Sequence, residues 1–141
     1  MSSISLKNKI FNKMLKNGVK THPEKILKNS IKKIQKKNKK NYLEVLKKSL
    51  INASPILSIK QIKRRKKQVK EFPYILKKKL RLFFGLKFIL SSLNNKKNSF
   101  YNEFSEEILS TAQFKGNAIK LKKELYEKSF QKKKYANFRW F

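Results

Sequence analysis

Hydrophobic positions recur along this chain with two different periods, and those periods divide it into six helices and one ribbon. Leu6, Ile10 and Met14 lie at i, i+4 and i+8 with Phe11 beside them, and lysines fill much of the opposite side. This spacing predicts a helix over roughly 5–17. Asn17-Gly18 stops it, because glycine accepts the left-handed backbone of a helix end. Thr21-His22-Pro23-Glu24 starts the next: Thr21 or His22 sits near the cap, Pro23 suits the first turn, and Glu24 favours the positive end of the helix dipole. Its stripe is Leu27, Ile31 and Ile34, and it runs to about Lys37. Lys36 to Asn41 is a charged connection, and a third helix over about 42–52 carries Leu43, Leu46 and Leu50 on one face.

From Pro55 the character changes. Ile56-Leu57-Ser58-Ile59-Lys60-Gln61-Ile62 is rich in β-branched residues, and Gln68 to Leu76 holds Val69, Phe72, Tyr74 and Ile75. With Lys63-Arg64-Arg65-Lys66-Lys67 between them, the two segments predict a ribbon over about 56–76 with a basic tip. Pro73 suits an edge strand, and the tip lacks the Gly, Asn or Asp of tight hairpins. A fourth helix over about 77–93 is apolar around much of its circumference, through Leu80, Phe83, Phe84, Leu86, Ile89, Leu90 and Leu93. Such a helix is expected at the centre of the core, with Phe84, Leu86 and Ile89 buried and Gly85 as a weak point. After a loop at 94–98, Phe100, Phe104, Ile108 and Ala112 mark a fifth helix over about 99–114. Gly116 breaks it, and a sixth follows over about 118–134. The expected fold is mainly α, a single domain over 1–141: a bundle of about six helices with a protruding two-stranded β-ribbon.

Charge narrows the partner. The chain carries 38 Lys+Arg against 8 Asp+Glu, all of them Glu, for a net charge of +30. Self-repulsion at that charge weighs against a compact state in isolation, and a polyanion relieves it, so nucleic acid is the expected partner. Abundant Lys, Asn and Ile also fit an AT-rich genome, so codon bias accounts for part of the lysine. A disordered basic tail is the bland alternative, but 39% hydrophobic residues are high for that. With no Cys there is no disulfide framework and no thiolate metal site. His22 is the only histidine and Asp is absent, so no Ser-His-Asp triad or typical zinc cluster can be assembled. Neither a Walker loop nor a dinucleotide fingerprint occurs. No enzyme activity, cofactor, metal or small-molecule substrate is expected. No apolar run approaches the roughly 20 residues of a membrane span, and the first residues lack the pattern of a secretory signal. Glu103, Glu106 and Glu107 favour the dipole of the fifth helix rather than forming a catalytic carboxylate pair.

Several groups of cations are candidate RNA contacts. The ribbon holds Lys60, Lys63, Arg64, Arg65, Lys66, Lys67 and Lys70, able to enter a groove or pass between RNA helices, or else a solvated loop. Lys77, Lys78, Lys79 and Arg81 open the fourth helix against its dipole, a conflict that a bound phosphate resolves and that codon bias also explains. Lys115-Gly116-Asn117-Ala118, followed by Lys120 and Lys122, brings backbone amides to a phosphate or makes an ordinary turn. Lys13, Lys16 and Lys20 lie on the first helix and the turn after it. Tyr135, Phe138, Trp140 and Phe141, with Lys134 and Arg139, either stack on bases or fold back on the core.

Three blocks of residues carry a resemblance. The first is Phe11-Asn12-Lys13-Met14-Leu15-Lys16-Asn17-Gly18-Val19-Lys20, then Glu24-Lys25-Ile26-Leu27. The second is Leu43-Glu44-Val45 and Asn52-Ala53-Ser54-Pro55, with the ribbon as far as Phe72-Pro73. The third is Lys115-Gly116-Asn117-Ala118-Ile119-Lys120 with the terminal Tyr135-Ala136-Asn137-Phe138-Arg139-Trp140. In this order and spacing the chain resembles the small-subunit ribosomal protein S seven family, in its bacterial and organellar form. Val19 departs from the family's second basic residue, Tyr126 takes a usual His position, and the ribbon tip lacks the family's paired glycines. The long basic N-terminal extension of bacterial members is nearly absent. The resemblance implies binding to the rRNA of the subunit head beside neighbouring small-subunit proteins, near the exit-site tRNA and the outgoing mRNA. A histone-like condensing protein is the runner-up, and a cationic membrane-surface protein a third class. The Lys/Asn/Ile bias and the short N-terminus suggest a mitochondrial or plastid origin, with an AT-rich bacterium as the alternative.

Overall fold

The structure is a computed structural model that describes residues 3–15, 17–37, 41–62, 69–93 and 99–137. The elements run α1 (Ser3–Met14), α2 (Thr21–Lys37), α3 (Tyr42–Ala53), β1 (Leu57–Ile62), β2 (Lys70–Ile75), α4 (Lys78–Ser91), α5 (Phe100–Ala112) and α6 (Asn117–Gln131), then a 3₁₀ turn at Lys133–Tyr135. The mainly α architecture with a two-stranded ribbon is the one the periodicity predicts, and element ends differ from expectation by a few residues.

One buried cluster draws on all six helices, through Leu6 and Ile10, Leu27 and Ile34, Leu46 and Leu50, Leu86 and Ile89, Phe104 and Ile108, and Ala118. Small hydroxyl residues are buried with it. Ser49 and Ser105 are fully buried and donate to carbonyls of their own helices, at 3.0 Å to Leu46 O and 2.8 Å to Asn102 O. Ser30 donates to Ile26 O at 2.7 Å and reaches across to Tyr101 O at 3.2 Å, tying α2 to α5. Each hydroxyl keeps a partner, so its burial carries no unpaired-group penalty.

The centre of the bundle belongs to α3 and α5 rather than to α4. Helix α5 packs on α2, α3, α4 and α6, while α4 packs mainly on α3 and α6. Leu86 and Ile89 are buried as expected, but Phe84 is only half-buried, and Leu80 and Phe83 are exposed. Total hydrophobic content misplaces α4 because burial is set by the crossing with α3, which uses one side of the helix. Gly85 marks that crossing. A Cβ there would lie 3.2 Å from Leu50 O and from backbone atoms of Ser54, so the missing side chain lets the two helices approach closely.

The ribbon is antiparallel, with Leu57 opposite Ile75 and Ile62 opposite Lys70. Pro73 faces Ile59, tolerated because a two-stranded ribbon has only edge strands. Its root is held by the end of the chain. Ile56 N donates to the Tyr126 hydroxyl at 2.9 Å, and buried Phe72 meets Tyr135 edge to face at 5.8 Å.

Candidate nucleic-acid interface

Helix α1 packs on α2 and reaches α4 through Lys13. The Lys13 ammonium sits over the Phe83 ring, 4.2 Å from its centre, and remains exposed to solvent on its other side. Lys13 and Lys87 then flank a cleft of about 790 Å³ that also takes in His22, Leu90 and Phe100. Lys20 is exposed in the turn between α1 and α2. Lys77, Lys78 and Lys79 are exposed at the start of α4, which has no side-chain cap. Arg81 turns back instead, its Nε donating to Leu76 O at 2.9 Å, so part of its guanidinium anchors the strand-to-helix turn.

A second groove, about 1540 Å³, runs between the ribbon and the end of α6. Lys60 from β1 and Lys77, the residue before α4, line it together with Lys133 from far along the chain. Ile75 and Phe130 supply exposed apolar floor. Lys70 is exposed at the outer end of β2. Lys87 and Lys133 were not among the residues the sequence singles out. Lys87 lies one helical turn beyond Phe83, and that spacing is the signal that could have placed it on the face of Lys13. Lys16, Lys63, Arg64, Arg65, Lys66, Lys67, Arg139 and Trp140 lie outside the described residues.

The start of α6 is already occupied from within. Glu107 Oε1 accepts from Ala118 N at 2.8 Å, so a carboxylate of α5 takes one of the amides that a phosphate would use. Gly116 has φ +103°, and a Cβ on it would come within 2.9 Å of that same carboxylate oxygen. Glu107 makes this turn an inter-helix lock at the Ala118 amide. Lys115 and Lys120 remain exposed beside it. Glu106, the neighbour of Glu107, faces the other way and meets Lys33 at 3.0 Å and Lys37 at 3.6 Å. The hydrogen bond from Lys33 holds its carboxyl below the ordinary carboxylate value.

Lys122 points inward. Its Nζ donates to Asn52 O at 2.7 Å, and burial pushes its pKa below the ordinary lysine value. The Asn52 side chain in turn donates to Thr111 O and Ala112 O, at 3.0 and 3.2 Å. One asparagine thereby joins the C-terminal ends of α3 and α5 to α6, and Lys122 serves that junction. Tyr135 takes the fold-back option through its contact with Phe72, whereas Phe138, Trp140 and Phe141 lie outside the described residues. Among the described residues no group of three or more His, Cys, Asp or Glu could hold a metal ion, and no helix is long and apolar enough to cross a membrane.

Comparison with known proteins gives this arrangement a family. The small ribosomal subunit protein uS7c of Tetradesmus obliquus is 34% identical over 138 residues, covering 96% of this chain and 81% of the relative. The uS7c protein of Euglena gracilis is 29% identical over 141 residues, 96% and 87% of the two chains. The small ribosomal subunit protein uS7 of Acidithiobacillus ferrooxidans is 26% identical over 133 residues, 94% and 85%. The sequence pattern of the family described as "Ribosomal protein S7p/S5e" matches residues 2–133, from α1 through α6 and into the 3₁₀ turn, and the chain belongs to that family.

Proposed function

We propose that this protein is a structural constituent of the small ribosomal subunit, acting as one domain that binds and organises the rRNA of the head near the exit-site tRNA and the outgoing mRNA. The observation that carries the reading is the family match over residues 2–133. The chemistry agrees with it. A net charge of +30 on a helical scaffold supplies phosphate contacts without sequence readout, and RNA is then recognised mostly by shape and backbone. The contacting groups are the exposed lysines of α1, α4 and the ribbon, together with the basic run Arg64, Arg65, Lys66 and Lys67. Neighbouring small-subunit proteins complete its surroundings, and the role is organisational rather than catalytic.

The ribosome in question is organellar, of a mitochondrion or plastid. The Lys/Asn/Ile bias supports this, as do relatives named uS7c at 29% and 34% identity. The genome that encodes the chain decides the point.

Sedimentation of a native lysate, probed for this chain, tests the main reading. The chain is expected in the small-subunit peak, and a free soluble pool with none in that peak would overturn the assignment. A footprint on head-domain rRNA separates it from a condensing protein, which would protect sites indiscriminately.

A further inference from the structure

Four of the described residues have a left-handed backbone: Asn17 at φ 51°, Gly18 at 74°, Phe114 at 60° and Gly116 at 103°. Three are asparagine or glycine, the types that tolerate it. Phe114 is the exception, a bulky aromatic side chain in a conformation that such residues rarely adopt. The termination of α5 demands the conformation, for Lys115 N donates to Ser110 O at 2.8 Å and Phe114 N to Thr111 O at 3.1 Å. The position normally filled by glycine in that motif holds phenylalanine here. Burial does not compensate, because Phe114 is 66% exposed.

The turn that holds it is fixed on both sides. Its two backbone bonds close the end of α5, and Glu107 locks the start of α6 through Ala118 N. The ring is therefore held in solvent by a preorganised loop. Cations are close in sequence: Lys115 follows it directly, Lys120 lies in the first turn of α6, and both are exposed. Lys47, Lys48 and Ile51 are exposed on α3, whose end Asn52 ties to the end of α5. The turn itself, Gln113 to Gly116, holds no carboxylate, and Glu107 of α5 is spent on Ala118 N.

We propose that Phe114 is a stacking platform for an unpaired RNA base, with Lys115 and Lys120 meeting the flanking phosphates. A strained, exposed aromatic followed directly by an exposed lysine fits a ligand with a flat face and a charged backbone. Single-stranded RNA has both. The inference rests on the RNA-binding reading above and adds a residue and a mode of contact to it.

The test uses the full chain, an unstructured RNA of about 12 nucleotides, and a fully paired RNA of matched charge. Phe114→Asn is expected to weaken single-strand binding by about 5- to 150-fold, the usual loss of one base stack. Duplex binding and the salt slope should not change, since no phosphate contact is lost. Phe114→Trp should bind the single strand at least as tightly as wild type. The thermal midpoint of Phe114→Asn should be equal or higher, because asparagine relieves the backbone. Undiminished single-strand binding by Phe114→Asn overturns the proposal and leaves the ribosomal reading standing, as would be found if the ring instead docks a protein. An equal loss on both RNAs, or a loss accompanied by a lowered midpoint, also overturns it by making the residue structural. A wild-type chain that binds neither RNA sinks the RNA-binding reading and this inference together.

Discussion

Glu107 of α5 caps α6, its carboxylate accepting the amide of Ala118 at 2.8 Å across the turn that joins the two helices. The bond satisfies one of the free amides of α6 and places a negative charge at the positive end of its dipole. Glu107→Ala should therefore lower stability by about 1–2 kcal/mol, the range of a lost helix cap. Denaturant titration measures it. Because the group faces inward, the salt slope of RNA binding should be the same in the variant.

Gly85→Ala provides a test of opposite logic. On helix propensity alone it should stabilise α4 by roughly 1 kcal/mol. The new methyl group would instead press on Leu50 O and the Ser54 backbone at 3.2 Å, and neither is a flexible side-chain end. We expect net destabilisation of about 1–3 kcal/mol, the usual cost of overpacking, read from a melt of the RNA-bound protein. A raised midpoint would mean that α3 and α4 cross less closely than the structure has them.

The contrast between these positions explains what could be read in the sequence. Phe104, Ile108 and Ala112 recur every four residues and announce α5 with its buried face, because burial there follows the helix period. The place of α4 was not legible. Its apolar residues surround the helix, and the side that is buried is chosen by Gly85 and by a backbone about 30 residues away in sequence. Lysines were harder still. Lys120 and Lys122 are identical in type and two apart, yet one is exposed and the other reaches Asn52 O. That difference is set by the end of α3, a long-range contact that no local pattern encodes.

Lys122→Met exploits that difference. It should cost on the order of 1 kcal/mol, since Asn52 O loses its donor in a partly buried site, and leave the salt slope of RNA binding unaltered. Lys115→Ala with Lys120→Ala should do the reverse. Stability should stay within about 0.5 kcal/mol. The slope should fall by roughly 1–2 units, at ~0.7–0.9 per lost phosphate contact. The sign of the pH effect follows from the lowered pKa of Lys122. The folded state binds its proton less tightly than the unfolded chain, so wild type should gain stability over Lys122→Met as the pH rises toward the ordinary value of 10.5.

The ribbon tip makes a separate prediction. Replacing Arg64, Arg65, Lys66 and Lys67 with Ala should leave the helical signal in circular dichroism unchanged, because no apolar residue lies among them to be buried. The salt slope on a head-domain rRNA fragment should drop by up to roughly 3 units. An unaltered slope would show the tip to be solvated in that complex, and loss of helical signal would make it part of the fold.

The two contacts at the ribbon root also carry a schedule. Tyr126 and Tyr135 belong to the last stretch of the chain, whereas the strands they hold end at Ile75. At ~5–20 residues per second, the roughly 60 residues in between take about 3–12 s to synthesise. Until Tyr126 is made the strands can pair but lack both of these contacts, and from Tyr126 to Tyr135 they lack the one to Phe72. Its root is completed last, and a nascent chain released before Tyr135 would carry the strands without the ring that packs on Phe72.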